Sequence, residues 1–188
     1  MRAMRILSVT LIVLFLFASN TEAQERQEHV FFWFSIGAGA GANVSQELEN
    51  ERSLGGAGYV RVGGAITQKV LVGMEFLAWA RRHEEDPAAD PFTMQRSNLS
   101  LMMMYYPNDR GGLFLKAGVS GALVDIEESG IKVQERGSGA RAGLGYDITL
   151  GHLYITPNVD WMFQTFETVA GTKATNHVLM ATLGITWH

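Results

Sequence analysis

The sequence predicts an all-β protein: an eight-stranded antiparallel up-and-down transmembrane β-barrel preceded by a cleaved signal peptide. Three observations carry this expectation. The N-terminus is of export type and no later apolar run reaches helical length; eight segments alternate with period two; and the connectors alternate between tight and long.

The chain opens with Met1, Arg2 and Arg5, then an apolar run over 6–18 and a polar, small-residue stretch over 19–24. That order reads as a signal peptide over 1–23, cut after Ala23. The apolar run is shorter than the roughly 20 residues a membrane-spanning helix needs. Residues 24–188 then form one barrel domain. Cysteine is absent, which excludes a disulfide framework. The formal net charge of −4 argues against a nucleic-acid partner.

Eight runs alternate with period two, over 30–41, 57–67, 69–81, 96–106, 112–124, 136–150, 153–166 and 177–187. A tilted strand needs about 9 to 11 residues to cross a bilayer, and each run supplies them. In the eighth, Leu179, Ala181, Leu183, Ile185 and Trp187 oppose Met180, Thr182, Gly184 and Thr186. In the sixth, Ala140, Ala142, Leu144, Tyr146, Ile148 and Leu150 oppose Gly139, Arg141, Gly143, Gly145, Asp147 and Thr149. Pro157 has no N–H to give a ladder, so a bulge or break in pairing is expected in the seventh run.

Connectors are tight around Gln68, over 107–111 and at Gly151-His152, and long and polar over 43–56, 82–95, 125–135 and 167–176. Short periplasmic turns and long outer loops have this asymmetry, and an even strand number places both termini in the periplasm of a Gram-negative-type cell. A soluble lipocalin-like barrel would wear Lys and Glu outside. Here the polar faces carry mostly Gly, Ser, Thr and Asn with isolated charges, which suits a narrow lumen with the aliphatics turned to lipid. Phe32, Tyr105, Tyr106, Tyr154 and Trp187 on the turn side, and Trp79, Trp161, Phe163 and Phe166 on the loop side, are expected to form two aromatic girdles.

The strand count, Tyr106-Pro107, the run Leu113-Phe114-Leu115-Lys116-Ala117-Gly118 and a last strand ending in Trp187 resemble the OmpA/OmpX-like small outer-membrane barrels, the outer membrane protein beta-barrel domain. The resemblance implies contact with outer-membrane lipid and lipopolysaccharide. It also implies insertion by the outer-membrane assembly machinery, which reads a last strand carrying Leu183, Ile185 and Trp187. Here His188 follows the terminal aromatic.

Inward polar faces would place Arg61, Glu75, Lys116, Arg141, Asp147 and Asp160 in the lumen. Counting from the turn at Gln68 sets Arg61 opposite Glu75. Counting from Gly151-His152 sets Gly143 opposite Asp160, with Arg141 one diagonal step away. Lys116 and Asp147 are expected at similar heights on adjacent strands. Unpaired charges in a dry lumen are costly, so the residues should pair. The expectation is a salt-bridged plug, because eight strands enclose only enough space for their own side chains; the alternative is a narrow polar or proton-conducting path.

A lipid-modifying catalytic site would need a nucleophile, a His and a carboxylate. His177 is the best candidate, but it lacks the His-x-Ser-Asn run of outer-membrane lipid A deacylases, and His29, His83, His152 and His188 are poorly placed. No enzyme, cofactor or metal is expected. Gly37-Ala38-Gly39-Ala40-Gly41-Ala42 precedes no helix and so cannot act as a phosphate loop. Met102, Met103 and Met104 point alternately to opposite faces and read as packing. Glu47, Glu49, Glu51, Glu84, Glu85, Asp86 and Asp90 make two loops acidic; they read as solvated loops, with divalent cations or a basic partner as the alternative. The sequence points to a monomer with a structural or surface-interaction role and leaves a loop ligand unidentified.

Overall fold

A computed structural model describes residues 32–44, 53–83, 92–108, 111–128, 131–167 and 173–187. The signal-peptide reading, His29, His188 and the acidic residues Glu47, Glu49, Glu51, Glu84, Glu85, Asp86 and Asp90 lie outside the described residues. Nine strands follow one another: β1 Trp33–Asn43, β2 Ser53–Ala65, β3 Val70–His83, β4 Phe92–Tyr105, β5 Leu113–Glu128, β6 Ile131–Tyr146, β7 Ile148–Leu150, β8 Leu153–Glu167 and β9 Lys173–Trp187.

All neighbours pair antiparallel, β1 also pairs β9, and β6 pairs β8, so the sheet closes on itself. Strands β6 and β7 are two parts of one stave, which makes the barrel eight-stranded. Each of the eight staves therefore has a paired neighbour on both sides, as a strand in hydrocarbon requires.

Pro157 explains the interruption. The β8 ladder toward β6 stops at Gly145↔Asn158 and resumes toward β7 at Ile148↔Ile155, skipping the level of Tyr146 and Asp147 beside Pro157 and Thr156, although Tyr146 still pairs with Leu113 of β5. On its other side β8 pairs β9 through Pro157 without a gap. Asp147 N–H donates instead to the Gly112 carbonyl at 2.9 Å. At the next turn Gly151 has φ of 66°, the left-handed conformation that a two-residue hairpin requires and that glycine adopts without a Cβ penalty.

The burial pattern is inverted relative to a water-soluble protein. Leu101, Val119 and Leu183 are 66%, 68% and 59% exposed, whereas Arg61, Glu75 and Asp160 are at most 1% exposed. In water such an apolar wall would be a large aggregation-prone patch; in lipid it is the solvated surface.

Toward the loop end the strands run further than the alternation implies. The 125–135 connector is largely ladder, with β5 and β6 paired out to Glu128↔Ile131. Ile126, Ile131 and Val133 do alternate there with Asp125, Glu127, Lys132 and Gln134, but so high a density of charge reads as a polar loop.

Candidate functional site: the lumen

At the turn end of the lumen, Trp33, Leu71, Met102, Met104, Tyr106 and Phe114 form a buried apolar cluster. Toward the loop end a second cluster contains Tyr59, Leu77, Trp79, Met162, Val178 and Met180. The ionic groups lie between them.

The register places Arg61 opposite Glu75 on β2 and β3, and Gly143 opposite Asp160 on β6 and β8. Arg61 pairs with Glu75, and Arg141 reaches both Glu75 and Asp160, so one guanidinium ties β6 to β3 and β8. Lys116 Nζ meets Asp160 Oδ1 at 2.8 Å and donates to Asn158 Oδ1 at 2.9 Å. Arg61 also approaches Asp160 across the barrel at 3.6 Å and donates to Asn158 Oδ1 at 3.2 Å. Its guanidinium lies over the Tyr59 ring, 3.6 Å from the centroid. Tyr59 in turn lies against Gly37 and Gly184, where an added Cβ would collide with the ring.

Three cations thus share two carboxylates in this cluster. Asp160 is the hub, accepting from or facing all three. The mutual contacts offset the desolvation of each charge, which no single pair would do as well.

Asp147 stands apart. Lys116 faces Gly143 in the β5–β6 register, four positions from Gly112, the residue aligned with Asp147, so the two do not share a height. Strand tilt in a closed barrel staggers neighbouring strands, and equal distance from a turn does not give equal depth. Asp147 instead accepts from Tyr106 Oη and Thr156 Oγ1, both at 2.7 Å. A hydrogen-bonded run continues through Thr156–Thr186 and Ser35–Thr186, each 2.8 Å, to Tyr59 and Asn158 beside the charged cluster. Above the charges, Gln164 donates to Ser97 O and Asn98 Oδ1, and Asn98 donates to Ser120, beside the second apolar cluster.

Four of the aromatic expectations need correction. Trp79 is 1% exposed and donates its indole N–H to Gly41 O at 3.0 Å inside the barrel. It has the parity of Glu75 and Leu77, a signal present in the sequence. Tyr106, on the parity of Met102 and Met104, is fully buried and packs on Phe114 with centroids 5.4 Å apart. Phe166 and Tyr154 share the inward parity of Asp160; Phe166 is buried and Tyr154 half-buried at the turn-end mouth. Of the expected girdle residues, Phe32, Tyr105, Trp161, Phe163 and Trp187 do point outward. Phe32 lies against Trp187 at 5.9 Å, and Leu183 and Ile185 continue the same exposed face of β9.

His177 also points outward, stacked on Trp161 at 5.7 Å and tilted against Phe163 at 5.1 Å. The side chain of His83 lies outside the described residues, and His152 occupies the β7–β8 turn. Among the described residues, no group of three His, Asp or Glu side chains is placed to hold a metal ion.

A closed barrel with an apolar exterior and charged side chains buried within defines the class: this chain has the fold of the small outer-membrane β-barrels. Solved structures bear this out. The chain is similar to Neisserial surface protein A, with TM-score 0.54 and 13% identity over 86% of this chain and 99% of that one. It is also similar to Ail, the attachment invasion locus protein of Yersinia pestis, solved in complex with the heparin analogue sucrose octasulfate. That match has TM-score 0.56 and 11% identity over 85% of this chain and 100% of that one. A third is the outer membrane protein OprG from Pseudomonas aeruginosa, with TM-score 0.51 and 11% identity over 87% and 99% of the two chains. No family model matches the sequence, and no curated protein matches it.

Proposed function

We propose that this protein works at its surface: the lumen is a brace that holds the barrel shut, and the loop end, turned outward, makes the contacts. The observation that carries this reading is the ionic cluster of Arg61, Lys116, Arg141, Glu75 and Asp160, enclosed by one apolar cluster toward each end. The hydrogen-bonded run from Asp147 to Asn158 supports a polar path only halfway, because Leu77, Trp79, Met162 and Met180 pack above it.

His177 between two rings on the lipid face is placed for packing, so the reading is a non-catalytic one. The partners proposed are outer-membrane lipid and lipopolysaccharide, and the assembly machinery at the β9 face of Leu183, Ile185 and Trp187. The protein is read as a monomer with periplasmic termini. Ail is an attachment protein; attachment through the loop end is the corresponding proposal here.

Planar-bilayer recording of the reconstituted protein should give no single-channel events; stepwise conductance would favour the solute-channel reading instead. Orientation is read separately. The chain has no cysteine, so Val133→Cys at the loop end should react with a membrane-impermeant maleimide on intact cells, and Gln68→Cys at the turn end should not. The reverse pattern would overturn the outward loops.

A further inference from the structure

At the loop end, β6 and β8 part company. They pair from Gly145↔Asn158 as far as Ser138↔Thr165, although β6 extends to Ile131 and β8 to Glu167. The parting leaves a groove of about 280 Å³ lined by Arg136, Gly137, Ser138, Thr165, Glu167 and Lys173. Arg136 and Ser138 have the parity opposite to Arg141, and Thr165 the parity opposite to Asp160, so these side chains lie on the outer wall of the barrel.

Arg136 and Lys173 are exposed. Lys173 stands opposite Glu167 in register. Neither cation closes an ion pair among the described residues. The groove therefore offers a guanidinium fork, an ammonium and two hydroxyls against one carboxylate, on a chain whose net charge is −4. Such a set matches the oxygens of a phosphate monoester better than a single carboxylate.

Depth selects the source of that phosphate. On the same wall the next outward level carries Phe163 and His177, and the level after it Trp161 and Leu179. Two residues along a strand advance roughly 7 Å, so the groove lies one step beyond an aromatic layer of the kind that marks the edge of the hydrocarbon. Leu144, Trp161 and Leu179 continue the wall as an exposed apolar surface.

We propose that this groove binds the phosphate of an acylated, phosphorylated glycolipid of the outer leaflet, with the acyl chains lying along the Trp161–Leu179 wall. The proposal rests on the outer-membrane reading with the loops outward. Glu167 limits the affinity, since it places a carboxylate beside the bound phosphate.

The test uses the protein folded into phosphatidylcholine vesicles doped with diphosphoryl lipid A or with the same lipid dephosphorylated, followed by native mass spectrometry of the released barrel. Gel migration is read first, so failure to insert, which counts against the membrane reading, is distinct from insertion without lipid selection, which counts against this site alone. The diphosphoryl lipid should be retained and the dephosphorylated one lost. Arg136→Ala with Lys173→Ala should weaken retention about tenfold or more, and Glu167→Gln should strengthen it, while all variants insert normally. Equal retention of the two lipids, retention unchanged in the double variant, or inorganic phosphate bound in place of the lipid would overturn the proposal.

Discussion

Asp160→Asn tests the lumenal brace where it bears most weight. The substitution keeps the shape and one carbonyl acceptor but removes the charge that Lys116 and Arg141 contact directly and Arg61 faces at 3.6 Å. The cluster goes from three cations on two carboxylates to three cations on Glu75 alone. Removing one partner from a buried ionic set costs about 3–5 kcal/mol, because the remaining charges stay desolvated without compensation. Lys116→Met removes a cation instead and leaves two guanidinium groups on two carboxylates, so it should cost less than Asp160→Asn. Combining the two should recover part of the loss, with a coupling of roughly 1–3 kcal/mol for directly contacting groups. The assay is urea unfolding from lipid vesicles followed by tryptophan fluorescence, with all variants in the same lipid. If Asp160→Asn shifts stability by less than about 0.5 kcal/mol, the size of an ordinary surface change, or if Lys116→Met is the costlier of the pair, the reasoning about a dry, cation-rich lumen is wrong.

Three further expectations follow from the same geometry. Gly184→Ala drives a methyl into the Tyr59 hydroxyl and against the Ile36 carbonyl and should destabilise by about 1–3 kcal/mol as overpacking; introduced into a Tyr59→Leu background, which itself loses the Ser35 and Asn158 hydrogen bonds, it should cost less, and an equal cost in both backgrounds would refute the clash. In single-tryptophan variants, Trp161 and Trp187, both more than 40% exposed, should be quenched by lipids brominated in their chains, and Trp33 and Trp79, each 1% exposed, should not. Quenching of Trp79 would return it to the girdle. Alanine at Leu77 and Met162 together should leave the barrel non-conducting, because the cluster around Trp33, Leu71 and Phe114 still fills the turn end; channel events in that variant would show that the two clusters do not seal the lumen independently.

How much of this was legible before the structure depended on what each residue's position could encode. Tight turns fix register, so Arg61 opposite Glu75 and Gly143 opposite Asp160 could be counted from the turns at Gln68 and Gly151-His152. Pro157 announced the gap in the β8 ladder because a missing donor cannot be hidden in a closed sheet. The contacts across the lumen, Arg141 to Glu75 and Arg61 to Asp160, were not legible, since they depend on curvature and stagger that alternation does not carry. The apolar packing of the lumen was missed for a different reason. In β4 both faces are apolar, Met102 and Met104 within and Leu101 and Met103 outside, so period two fixes parity but gives no sign. For Trp79 the sign was available from Glu75 four residues earlier, although a tryptophan near a strand end also suits a girdle.

The central claim is that this chain places its aliphatic face in lipid and its charges in a closed lumen, and folding into vesicles monitored by heat-modifiable gel migration tests that claim most directly. The account predicts a compact, membrane-associated form that migrates differently before and after boiling. A species that remains soluble without lipid and migrates identically in both lanes would contradict it.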